Sequence, residues 1–153
     1  MRVVVITGST RGIGFGLAKE FLRRDCAVVV SGRSQTAVDK AVAELAALTV
    51  PSFTQAPLKA QKAAGTTQLY LAENTAHPER VLGQPCDVTS LEQVQALWEA
   101  AKTKFGRVDV WINNAGLAHS DIPFWEQPAN VMHEVVSVNV LGVMHGSQVA
   151  VLG

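Results

Sequence analysis

Excess charge of either sign is missing from this chain. Thirteen lysines and arginines face thirteen aspartates and glutamates, so the formal net charge is zero. The basic residues are scattered, and no stripe interleaves them with aromatics, which argues against a nucleic-acid surface. Long apolar runs are missing too. None approaches the roughly 20 residues of a membrane-crossing helix, so no span is expected. Val3 already belongs to a core pattern, so no signal peptide is expected before the first strand, and any transit peptide would have to lie outside this sequence. Those readings point to a soluble, cytoplasmic protein. Cysteine is scarce: only Cys26 and Cys86 are present. Cys26 opens the second expected strand and Cys86 ends the third. In adjacent parallel strands their sulfurs sit near opposite ends of the sheet, too far apart to bridge at about 3.3 Å per residue. Two buried thiols in a reducing compartment are expected. The four histidines, His77, His119, His133 and His145, have no metal-ligand spacing with each other or with the cysteines, so no metal site is expected.

Glycine, by contrast, is placed with purpose. The run Val3 to Ile6 leads into Thr7-Gly8-Ser9-Thr10-Arg11-Gly12-Ile13-Gly14, and a helix-like segment follows, Leu17 to Arg24. Strand, glycine-rich turn and helix form the arrangement that holds a dinucleotide pyrophosphate. Gly8 lets the chain turn sharply, and Gly12 lets backbone approach the phosphates. Gly14 lets the helix pack close to the strand. The spacing is G-x-x-x-G-x-G rather than G-x-G-x-x-G, and a surface turn with three glycines is the competing reading.

The remainder alternates strands with helices. Ala27-Val28-Val29-Val30 reads as a second strand buried on both faces. A helix starts near Ser34. Val81 to Cys86 forms a third strand, moved toward an edge by Pro85. A helix spans Leu91 to Phe105 and stops at Gly106. Val108 to Ile112 forms a fourth strand, and a last helix begins near Asn130. This alternation predicts an α/β, doubly wound parallel sheet with strand order 3-2-1-4 and a ligand crevice at the carboxyl ends. The 153 residues suffice for one domain with a real core. Residues from about 48 to 80 do not fit the alternation. They read as a loop insertion, with a short helix near Pro57 to Ala64, leaving on the side opposite the crevice.

Four segments, taken in order, resemble the short-chain dehydrogenase/reductase family: the glycine loop, Cys86-Asp87-Val88, Asn113-Asn114-Ala115-Gly116, and Ser137-Val138-Asn139-Val140. The resemblance covers nearly the whole chain apart from about 48 to 80. It implies a Rossmann fold, a small-molecule carbonyl substrate, and a homo-oligomer at full length. It implies cofactor contacts from Thr7, Gly8, Ser9, Arg11, Gly12, Ile13, Gly14, Arg33, Asp87, Asn114, Ala115 and Gly116. Asp87 corresponds to a contact with the adenine amino group, although Asp87 or Thr89 also suits a helix cap. Asn113 and Asn114 also suit a plain turn.

Cofactor choice is legible as well. The second strand runs into Ser31-Gly32-Arg33-Ser34, with no carboxylate to accept from the ribose hydroxyls. Arg33, Arg11 and the hydroxyl of Ser9 suit a 2′-phosphate instead, and basic residues at the two arginine positions imply NADP(H). Two solvated surface arginines are the alternative. Asn139 matches the family's catalytic asparagine, which helps hold a water that relays protons to a lysine. The partners of that asparagine, a serine and a Tyr-x-x-x-Lys pair, have no match here. The one tyrosine, Tyr70, is followed by Leu71, Ala72, Glu73 and Asn74. The chain therefore looks like the amino-terminal half of a reductase, with an apolar helix end from Val143 to Leu152. A non-catalytic NADP-binding module is the alternative class. Trp111 to Gly116, with Ser31-x-Arg33-Ser34 and Cys86 to Thr89, is similar to chlorophyll b reductases within the family, which reduce a formyl group in plastids. That similarity makes the plastid stroma a second expectation for location. The same motifs occur in reductases with other substrates.

Overall fold

Val3, Val4, Val5 and Ile6 are almost entirely removed from solvent, and they form strand β1 (Val3–Ile6) at the centre of a parallel sheet. The computed structural model describes residues 1–51, 74–118 and 121–153. Strand β1 lies between β2 (Ala27–Gly32), with Val3 opposite Ala27, and a later strand whose Val110 faces Val4. After β1 come helix α1 (Gly12–Arg23), then β2, then α2 (Gln35–Ala46), capped by the Ser34 hydroxyl. Two short strands follow, β3 (Thr49–Pro51) and β4 (Asn74–Ala76). The large sheet resumes with β5 (Val81–Pro85), α3 (Leu91–Phe105) and β6 (Val110–Ile112). A final helical stretch comprises α4 (Ala129–Val136), a π-helical turn at Ser137–Leu141, and α5 (Gly142–Leu152).

The sheet order is β5-β2-β1-β6, which is third, second, first, fourth among the parallel strands, as expected. Alternation along the central strands builds two cores. Val3, Val5, Ala27 and Val29 face α3 and α5, packing with Val94, Leu97, Trp98 and Val149. Val4, Ile6, Val28 and Val30 face α1 and α2, packing with Ala18, Leu22, Ala41 and Leu45. Such two-sided burial is why these strands read as unbroken apolar runs. Pro85 pairs opposite Gly32 on β5, at one side of the described sheet, where its missing N–H costs least.

Three expectations change. The fourth strand begins at Val110, not Val108, because Asp109 takes over the ladder. Its carboxylate accepts from Val3 N at 2.8 Å, while its own N–H donates to Val3 O at 2.9 Å. Helix α3 is capped by Ser90, whose hydroxyl accepts from Gln93 N at 3.3 Å, and not by Asp87 or Thr89. Asp87 is already engaged: its Oδ1 accepts from Thr89 N at 2.9 Å and from Thr89 Oγ1 at 2.8 Å. The 48–80 segment is not loop at its ends, because β3 and β4 pair antiparallel, with Thr49 opposite Ala76. At its far end Arg80 Nη1 meets Asp25 Oδ1 at 2.5 Å, beside the amino end of β2. The helix expected near Pro57 to Ala64 lies outside the described residues.

The last helical stretch, Ala129–Leu152, is 24 residues long and apolar enough to cross a bilayer by length and composition. The sequence did not show this as a run, because Asn130, His133, Glu134, Ser137 and Asn139 interrupt it. Core helices meet the same criterion. Here Val138, Gly142, Gly146 and Val149 are buried, with Val138 and Val149 in the core that contains α3. Val136, Val140, Leu141, Val143, Met144, Val151 and Leu152 are exposed, so most of this apolar helix is uncovered, including the apolar end expected from Val143 to Leu152.

Cys26 and Cys86 are free and buried, at opposite ends of the paired strands β2 and β5. Burial raises the Cys26 thiol, and burial reinforced by the Asp87 charge pushes Cys86 up to about 11. The thiolate is the reactive form. Neither cysteine should therefore react with a water-soluble disulfide reagent in the native protein at pH 8, and both should react after unfolding. Rapid stoichiometric labelling of the native chain would contradict this packing.

Candidate cofactor site

The carboxyl ends of β1, β2, β5 and β6 open into one groove of about 370 Å³. The turn after β1 forms its floor. Gly8 and Gly12 take the left-handed conformation, at φ of 63° and 59°. A methyl group on Gly8 would stand 2.6 Å from Ala115 Cα, whereas one on Gly12 would meet nothing within 4 Å. Gly14 packs against the Asn114 amide and the Ser9 backbone, so the close approach it permits is to the neighbouring loops.

Buried hydrogen bonds lock that turn to the loop after β6. Thr7 Oγ1 donates to Ile112 O at 3.3 Å and accepts from Asn114 N and Ala115 N, both at 3.0 Å. The Asn114 side chain donates to Thr7 O at 2.9 Å and Gly8 O at 3.0 Å. Asn113 turns the other way, accepting from Trp111 Nε1 at 2.9 Å and donating to Ser147 Oγ at 3.2 Å. These asparagines are therefore structural ties between the loop after β6 and its neighbours.

Of the twelve residues expected to contact a cofactor, Gly8, Arg11, Gly12, Ile13, Gly14, Arg33, Asp87, Asn114, Ala115 and Gly116 line the groove together. Two do not. Thr7 is buried and consumed by its bonds to the β6 loop. Ser9 is fully buried, with Oγ donating to Ile6 O at 2.6 Å and accepting from Ser31 N at 3.0 Å. Its hydroxyl thus ties the turn to β2 and does not face a phosphate. Thr10 lines the groove in its place. Thr10 packs against β2 at Gly32, where a methyl group would stand 2.8 Å from Thr10 Cγ2, a contact no neighbouring residue of the sequence signals. Val88, Leu117 and Val138 are further lining residues that sequence reasoning did not single out.

Asn139 stands in the π-helical turn. Its Oδ1 accepts from Leu117 N and its Nδ2 donates to Leu117 O, each at 2.8 Å. Each end of the amide makes one bond to the same residue's backbone. The residue expected to be catalytic is, in this structure, a clamp on the loop that leaves β6. π turns widen a helix by one residue, and they often occur where a side chain must be aimed.

The groove suits an anion. Helix α1 opens into it with no side-chain cap at Arg11 and no acidic residue in its first turn, so its leading N–H groups and dipole remain available. Arg11 and Arg33 both line it, and neither has an ion-pair partner among the described residues. Asp87 is the one carboxylate in the lining. A free helix start and two cations in the lining suit a phosphate-bearing dinucleotide.

A parallel sheet in this order, with a glycine turn and an uncapped helix at its carboxyl end, defines a dinucleotide-binding domain of the Rossmann class. The family model described as short chain dehydrogenase matches residues 2–72 and 59–152. The chain belongs to the short-chain dehydrogenase family, whose members are oxidoreductases. It is 37% identical over 142 residues to the chloroplastic chlorophyll(ide) b reductase NOL of Oryza sativa subsp. japonica, covering 92% of this chain and 34% of that one. Among solved structures, it resembles a 3-ketoacyl-(acyl-carrier-protein) reductase from Brucella melitensis complexed with NADH. The TM-score there is 0.71 at 25% identity, over 96% of this chain and 47% of that one. An alcohol dehydrogenase from the archaeon Thermococcus sibiricus complexed with 5-hydroxy-NADP gives a TM-score of 0.70 at 28% identity, over 97% of this chain and 51% of that one. The chain thus spans between 34% and 51% of the length of these relatives.

Proposed function

We propose that this chain is the cofactor-binding half of an NADP(H)-dependent carbonyl reductase. The observation that carries the reading is that two arginines, without an ion-pair partner among the described residues, line a groove beside a second strand that ends without a carboxylate. An NAD site needs an acid there to accept from the ribose hydroxyls, and Arg33 puts a planar cation in its place. Arg33 and Arg11 would hold the 2′-phosphate, with Thr10 beside them. The pyrophosphate would lie on the first turn of α1 over Gly12, and Asp87 would face the adenine. Asn114, Ala115 and Gly116 would border the ribose on the nicotinamide side. When bound, the cofactor supplies the hydride and this half of the protein supplies binding and orientation. Asn139, by gripping Leu117, would keep that wall in place.

The substrate proposed is the formyl group of chlorophyll b. Support comes from the shared motifs and from the similarity to the rice enzyme, which would also put the protein in the plastid. The loop bearing exposed Phe124 and Trp125 suits a flat apolar molecule.

NADPH should bind the purified chain more tightly than NADH. Arg33→Ala should narrow the gap by about 1–3 kcal/mol, the scale of a charge-assisted contact. Calorimetric titration of both nucleotides decides it. Equal wild-type affinities would refute the 2′-phosphate assignment.

A further inference from the structure

We propose that His145 is a positioning residue for the adenosine end of the bound dinucleotide, acting through Val88; the inference rests on the cofactor reading above. Asp87 and Val88 form the wall of the groove between β5 and α3. From the α3 side, Gln93 Oε1 accepts from Asp87 N at 2.8 Å. From the opposite side, His145 Nδ1 lies 2.9 Å from the Val88 carbonyl oxygen, across 57 positions of sequence. A carbonyl only accepts, so Nδ1 carries the proton and donates. Both the neutral and the charged ring can make that bond.

Helix α5 approaches the same residue a second time. At Gly142, nearly one turn earlier, a methyl group would stand 2.6 Å from Val88 Cγ2. Glycine at 142 and histidine at 145 thus let one helix seat against the side chain and the carbonyl of Val88 at once. The same helix is tied to the other wall, where Asn113 Nδ2 donates to Ser147 Oγ at 3.2 Å. Helix α5 is therefore a strut between the two walls, and His145 is its contact with the adenosine side. Removing the donor leaves a half-buried carbonyl without this partner and frees the Asp87 turn from the helix.

The test is calorimetric titration of the full chain with adenosine 2′,5′-bisphosphate and with NADPH. His145→Leu keeps the bulk and removes the donor. His145→Asn keeps a donor at the same distance along the side chain. The expected result is about a tenfold loss of bisphosphate and NADPH affinity in His145→Leu, the scale of one lost hydrogen bond, with recovery to within about twofold in His145→Asn. Wild-type affinity in His145→Leu, or equal losses in both variants, would overturn the inference while leaving the cofactor reading intact. No binding of either ligand to the wild type would overturn both. Should His145→Leu fail to fold, Gly142→Ala disturbs the seating of the same helix on the Val88 side chain. It should weaken the bisphosphate, and an unchanged affinity there would also overturn the inference.

Discussion

NADPH bound to the 153-residue chain should stay unoxidised in the presence of aldehydes, ketones or chlorophyll b. The groove gathers the residues proposed to hold a dinucleotide, but the sequence offers no tyrosine followed four residues later by lysine. Tyr70 is the only tyrosine, and Asn74 stands at that position. Asn139 does not substitute for a proton donor, since a carboxamide has no acidic proton to give, and its amide is engaged with the Leu117 backbone. General acid catalysis contributes roughly 10²–10⁴-fold, and holding the carbonyl in place contributes more. On the proposed reading, both contributions are expected from a segment that carries the serine and Tyr-x-x-x-Lys implied by the family resemblance. Supplying such a segment from a related reductase, fused after Gly153, should produce turnover. The measurement is the loss of NADPH absorbance with time. Steady turnover by the short chain, abolished in Asn139→Ala, would require an active site with a different proton donor.

Gly8→Ala should lower the thermal midpoint by an amount of the order of 10 °C, and Gly12→Ala by much less. Both residues sit at positive φ, where an L side chain costs about 1–2 kcal/mol. Only at Gly8 does the added methyl also meet backbone, 2.6 Å from Ala115 Cα. Overpacking of that kind costs about 1–3 kcal/mol, and a domain of this size shifts by about 2–4 °C per kcal/mol. At Gly12 the methyl stands free over the groove, so its effect should appear in dinucleotide affinity. Differential scanning calorimetry of the two variants, paired with NADPH titration, separates the outcomes. Equal losses of midpoint would show that the turn is not locked against the β6 loop.

Much of this protein was legible in short stretches of sequence, because the chemistry involved is local. Four consecutive apolar residues at Val3 and again at Ala27 report burial on both faces of a sheet, whatever lies beyond. A glycine turn between strand and helix reports an anion site, because the free N–H groups belong to the helix itself. Arg33 stands immediately after the second strand, and its place in the groove lining was legible for the same reason.

Decisions that depend on partners distant in sequence were not legible. Ser9 looked free to meet a phosphate until β2 supplied Ser31, 22 residues away, to take its lone pair. Thr7 looked like a cofactor contact until Asn114 and Ala115 arrived to occupy it. Asn139 became a clamp because the chain leaving β6 passes within reach of its amide. His145 had no visible role until the fold brought Val88 beside it. A hydroxyl, an amide and an imidazole each suit several partners. Which partner each one takes is decided by the packing of whole elements, and no window of neighbouring residues contains that information.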